Sequence, residues 1–166
     1  FLYKIPEECK QFDAIICEPI GVSGPKFMKV LKHGFKNLLK DPTIIFNQKK
    51  QTIKLHFDMC HGHGIIDSAI DVMHSKDKKD FKKFIYNSIS FNPHIVFISK
   101  PNIANRWFSD LFSWLDNCEK IIGFKKLKGY EKRLYAYLAE RYLSFWFKKY
   151  TNSIDWPLIT VDIENI

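Results

Sequence analysis

At 166 residues, with 15 phenylalanines and a formal net charge of +8, the chain has the apolar content of one globular domain and excludes a disordered or low-complexity protein. No run reaches the roughly 18 apolar residues of a membrane-spanning helix, and the opening stretch, which carries Lys4, Glu7, Glu8 and Lys10, does not read as a signal peptide. Cys9, Cys17, Cys60 and Cys118 show neither zinc spacing nor a dense disulfide pattern, which fits a reducing cytoplasm.

In chain order, residues 13–18 (Asp-Ala-Ile-Ile-Cys-Glu) form a short apolar run closed by Pro19, the pattern of a buried strand. Residues 21–25 read as a loop. From Pro25 the apolar positions Phe27, Val30, Leu31, Phe35, Leu38 and Leu39 recur at helical spacing, and Asp41-Pro42 ends that helix. Residues 43–46 and 52–57 read as strands, the second because Ile53, Leu55 and Phe57 alternate. Residues 59–64 form a loop rich in glycine and histidine. Helices are expected over 65–73 and 77–89, and a strand over 94–98. Ile103, Trp107, Leu111, Trp114, Leu115 and Cys118 make one apolar stripe of a helix that Gly123 ends. The longest helical run is 128–149. Asp155-Trp156-Pro157 breaks it, and 158–163 reads as a closing strand. Separated strands with helices between them predict a mixed α/β fold, its second half rich in helix, with residues 1–166 as a single domain.

The densest polar cluster spans 56–67, where His56, His61 and His63 stand with Asp58 and Asp67 around Gly62 and Gly64. Glycine lets the backbone bend and approach a ligand closely, and histidine exchanges protons near neutral pH. His63 and Asp67 are four residues apart, so on a helical turn the carboxylate would orient the imidazole. Three readings stay open: a structural loop, a loop that contacts sugar or phosphate, and a metal-dependent hydrolase site. The His-x-x-x-Asp spacing also occurs in chloramphenicol-acetyltransferase-like acyltransferases.

A second cluster lies on the long helix. Arg133, Tyr137 and Glu140 fall at i, i+4 and i+7, with Arg141 beside them. They form either a structural salt-bridge network or an arginine held by Glu140 to face a diphosphate or an acidic sugar. Lysine pairs such as Lys49-Lys50, Lys78-Lys79 and Lys148-Lys149 carry most of the positive charge. They fit a solvated surface, or peripheral contact with an anionic inner membrane. No recognised nucleic-acid module appears, so nucleic acid is not an expected partner.

Taken together, four stretches resemble a family of bacterial glycosyltransferases found with capsule and lipopolysaccharide genes and long labelled a domain of unknown function. Residues 12–20 resemble its Tyr-Asp-Ile-Ile strand. Residues 63–73 resemble its histidine loop running into an acidic, apolar helix. Residues 91–100, with Phe112-Ser113-Trp114-Leu115, resemble a strand ending in lysine and a Trp-Leu helix. Residues 130–146 resemble a Tyr-x-x-Arg-x-x-x-Phe-Leu-x-Glu-Arg segment through Tyr130, Arg133, Leu138, Glu140 and Arg141. The resemblance implies the C-terminal portion of a GT-A-like fold, incomplete at its N-terminus. It also implies a nucleotide-sugar donor, a glycan or lipid-linked glycan acceptor, and a divalent metal, manganese or magnesium. It implies catalytic roles for His61, His63 and Asp67, and substrate contacts by Lys100, Arg133, Glu140 and Arg141. A non-catalytic module that binds a glycan or a protein is the alternative.

Overall fold

The computed structural model describes residues 5–22, 27–123 and 127–158. Helix accounts for 64% of it, and the sheets are small. The fold is mixed α/β. Strand β1 (Ala14–Cys17) is central in a three-stranded sheet. It pairs antiparallel with β4 (Phe97–Ser99), where Ile16 faces Phe97. It pairs parallel with β5 (Ser153–Trp156), where Ala14 faces Ser153. Two further strands, β2 (Ile20–Gly21) and β3 (Ser90–Phe91), form a short antiparallel pair.

β5 corrects the expectation that Asp155-Trp156-Pro157 is only a breaker. A central strand has backbone donors and acceptors on both sides, and both must be satisfied when buried. The β1 backbone therefore captures this segment, and Glu18 N–H donates to Trp156 O at 2.9 Å just beyond the strand end. Proline is tolerated because it follows the ladder rather than interrupting it. The expected strand over 158–163, apart from Leu158, and the expected helix start at Pro25 lie outside the described residues.

The two strands expected near residue 50 are helical. Residues Pro42–Ile45 form a single 3-10 turn, capped by Asp41, whose carboxylate accepts from Thr43 N–H at 3.0 Å. Residues 52–57 belong to α3 (Ile53–His61), with Thr52 as its N-cap, accepting from Leu55 N–H at 3.4 Å. The alternation that imitates a strand comes from burial on two faces. Ile53 and Phe57 point into the main core, whereas Leu55 and Met59 join Val30 and Ile44 in a second, smaller core. Each pair is four residues apart, as a helix requires.

The long helix expected before Asp41 is divided into α1 (Phe27–His33) and α2 (Phe35–Lys40). At the break, a Cβ on Gly34 would lie 2.9 Å from both Met59 Sδ of α3 and the backbone oxygen of Val30 in α1, so a larger residue would force the chain to shift there. Then follow α4 (Ile65–Asp71), α5 (Ser75–Asn87) and α6 (Pro101–Ile122). Pro101 stands in the first turn of α6 and Gly123 follows its end at φ 77°. A 3-10 turn (Gly129–Arg133) leads into α7 (Leu134–Tyr150), which runs through the centre of the core.

Aromatic rings from α5, β4, α6 and α7 fill much of that core. Phe81 of α5 meets Trp114, Tyr142 and Phe145 at centroid distances of 5.5, 5.8 and 5.2 Å. Phe97 ties the sheet to the helices through Trp107 at 5.1 Å and Phe147 at 5.0 Å. Such ring pairs contribute about 0.5–1.5 kcal/mol each beyond burial alone. All four cysteines are free thiols.

Asp110 pins three helices together. It accepts from Trp146 Nε1 of α7 at 2.8 Å and from Lys76 Nζ of α5 at 3.1 Å. Burial pushes its carboxyl up, but these two bonds outweigh it and hold the group below the ordinary carboxylate range. A carboxyl depressed on folding stabilises the native state above the unfolded value of about 4 and loses that contribution as pH falls through the folded value. Asp110→Asn is expected to be less stable than the native chain at neutral pH. Urea titrations should show that gap constant down to about pH 4 and shrinking below it.

Candidate functional site

The site grows from the junction of α3 and α4. Gly62 ends α3 at φ 112°, and Gly64 opens α4 at φ 79°. Both values favour glycine, so the two residues supply the bend that the sequence suggested. A Cβ at Gly62 would also meet Ile65 Cδ1 at 2.7 Å. The loop folds back on α3, and Gly64 N–H donates to Asp58 Oδ1 at 3.2 Å.

This return brings His63 to the buried carboxylate of Asp58, with Nδ1 3.7 Å from Oδ2. The carboxylate facing His63 is therefore Asp58, not Asp67. Lys54, one turn earlier on α3, pairs with Asp58 and reaches Asp67 Oδ2 at 3.1 Å. Asp67 also accepts from Tyr86 Oη of α5 at 2.6 Å. Burial, together with that bond, pushes the Tyr86 phenol up to about 12, so it stays a donor at neutral pH.

α7 supplies the opposite wall. The His61 ring stacks on Tyr137, with centroids 3.9 Å apart and planes 20° from parallel. Phe57 meets the same imidazole at 4.8 Å. Arg133, in the turn before α7, lies over the Tyr137 ring at 5.5 Å. A cavity of about 620 Å³ lies between the two walls, with His61, His63, Asp58, Tyr137, Glu131 and Lys36 among its lining. That size suits a small ligand. A neighbouring recess of about 660 Å³ takes in Asp67, Tyr86 and Lys54, and Asp58 and His63 border both spaces.

Arg141 stands behind the wall and is only 2% exposed. Its guanidinium donates to Glu140 Oε2 at 2.7 Å and to Tyr137 O at 3.3 Å, and its Nη2 lies 3.3 Å from His56 Nδ1. It also lies 4.1 Å over the Phe91 ring. Arg141 and Glu140 thus back the residue that His61 stacks on. Lys100 is elsewhere. It pairs with Asp13 at 2.9 Å and borders a smaller cavity of about 220 Å³ beside β1 and β4. The bond from Lys100 is the first cause holding the Asp13 carboxyl below its ordinary value.

Among the described residues, no three His, Cys, Asp or Glu side chains gather to hold an ion. Asp58 and Asp67 are instead bridged by Lys54, whose charge competes with a cation for the same oxygens.

A family model described as a domain of unknown function, DUF4422, matches residues 24–152. The chain belongs to that family. No curated protein and no solved structure matches it. The DUF4422 span contains the histidine loop, Tyr86, Lys100 and the whole of α7, while β1 and β2 precede it. Of the site-forming residues, Lys54 and Tyr86 carried no signal in the sequence. Lys54 and Asp58 are four apart on α3, a pairing that becomes visible only once that segment is read as a helix.

Proposed function

We propose that this DUF4422 chain is a GT-A-like glycosyltransferase, or part of one. It transfers a sugar from a nucleotide-diphosphate donor to a hydroxyl of a capsule or lipopolysaccharide glycan. The observation that carries this reading is the meeting of the histidine loop and α7 at one cavity, with His61 stacked on Tyr137. An aromatic wall suits the face of a sugar or base, and an imidazole beside it suits proton transfer.

In this reading His63 is the general base. It takes the proton of the acceptor hydroxyl as that oxygen attacks the anomeric carbon. The bond from that carbon to the phosphate oxygen breaks, and the nucleoside diphosphate leaves with the bonding pair. Asp58, 3.7 Å behind His63, stabilises the imidazolium that forms. Lys32 and Lys36 on the cavity lining offset the growing negative charge on the leaving group. His61 holds the aromatic wall, and Arg133 flanks Tyr137 where an anionic substrate would enter. The proposed setting is the cytoplasmic face of the inner membrane. No helix among the described residues is long and apolar enough to cross a membrane.

The test is incubation of the intact protein with a panel of labelled nucleotide-sugars and capsule or lipopolysaccharide oligosaccharides. Label is expected to move into the oligosaccharide, with release of nucleoside diphosphate. Oligosaccharide binding in the calorimeter without turnover of any donor would replace this reading with a non-catalytic glycan-binding module.

A further inference from the structure

The stretch 27–50 differs from the rest of the surface. It holds six lysines and one aspartate, so it carries +5 of the chain's formal +8. Lys50 is paired with Asp41, whereas Lys32, Lys36, Lys40 and Lys49 are exposed and, among the described residues, meet no carboxylate. The same stretch carries the three most exposed large apolar side chains of the described residues: Phe46 at 87%, Met28 at 71% and Leu39 at 69%. Phe35, one turn before Leu39 on α2, is 53% exposed.

These side chains are not left over from poor packing. Val30 and Ile44, from the same stretch, are buried against Leu55 and Met59 of α3, so the arm is anchored by its own small core. Its outer surface therefore pairs exposed apolar groups with unpaired positive charge. Water penalises the first, and a neutral partner would leave the second uncompensated. An anionic bilayer satisfies both, because apolar side chains enter the acyl boundary while lysines reach the headgroup phosphates. Nucleic acid matches the charge, and Phe35 and Phe46 offer rings for stacking, but it would leave the aliphatic Met28 and Leu39 in water.

We infer that residues 27–50 form a docking arm for an anionic phospholipid surface, entered by Met28, Leu39 and Phe46 and held by Lys40 and Lys49. The arm also borders the candidate site. Lys32, Phe35 and Lys36 line the histidine cavity, and Leu39 and Lys40 line the recess beside it. Docking would place both openings at the membrane surface. The inference stands on exposure and charge, and does not depend on the reaction proposed above.

Vesicle flotation with the intact protein tests it without any activity assay. The protein is expected to float with vesicles of phosphatidylcholine and phosphatidylglycerol in equal parts, to stay behind with phosphatidylcholine alone, and to be released by salt. Met28→Ser, Leu39→Ser and Phe46→Ser together should weaken partitioning by about tenfold or more, as should Lys40→Glu with Lys49→Glu. An unchanged melting temperature would show that both variants remain folded. Failure to float with the anionic vesicles overturns the inference. So does an apolar variant that binds like the native chain while a random DNA duplex displaces the vesicles, which would mark a general polyanion surface.

Discussion

His63→Ala is expected to lower the rate of sugar transfer by about 10²–10⁴-fold, the usual loss on removing a general base. The fold should survive, because the side chain sits in a loop and is about one-third exposed. Asp58→Asn keeps the shape of the buried carboxylate but removes the charge facing His63, so a smaller loss of about 10–100-fold is expected. Asp67→Asn separates the two candidate bases. Asp67 already accepts from Tyr86 and pairs with Lys54 in the adjoining recess, so its replacement should slow transfer less than His63→Ala. Initial rates with a labelled nucleotide-sugar, beside melting curves for each variant, provide the check. The reverse order of losses would move the base to Asp67, and a folded His63→Ala protein with the native rate would remove both histidine and mechanism.

The elements that were legible in the sequence are those with a single buried face. The stripe from Ile103 to Cys118 gave α6, because one side of that helix meets the core and proline and glycine mark its ends. α3 was hidden because its two buried faces turn a helical period into an apparent alternation. β5 was hidden because a four-residue strand beside proline has no pattern of its own and exists through its pairing with β1. The site divides in the same way. The bend of the histidine loop was legible, since two glycines separated by one residue permit little else. Its carboxylate partner was not. The four-residue spacing from His63 to Asp67 applies only if both lie on one helix, and α4 begins at Ile65, after His63. The loop instead folds back to Asp58, a contact fixed by the chain's path and not by local spacing.

The two arginines of the second cluster should part in the same sense, which gives the largest expected effect on stability. Arg141→Ala removes a guanidinium that is 2% exposed and leaves Glu140, itself only 18% exposed, without its counter-charge. It also strips a donor from Tyr137 O, the neighbour of His56 and the cation over Phe91. Breaking such a buried pair on one side destabilises by about 3–5 kcal/mol. Arg141→Lys keeps the charge but cannot reproduce a planar fork aimed at several acceptors at once, so it should recover only part of the loss. Arg133→Ala, at an exposed position, should cost no more than about 1 kcal/mol, the worth of its cation–π contact with Tyr137. Urea unfolding of the three variants measures these differences directly. If Arg141→Ala unfolds like the native chain but no longer turns over, the guanidinium is a substrate contact after all. If stability falls and the remaining folded fraction keeps its rate, Arg141 acts by holding Tyr137 in place against His61.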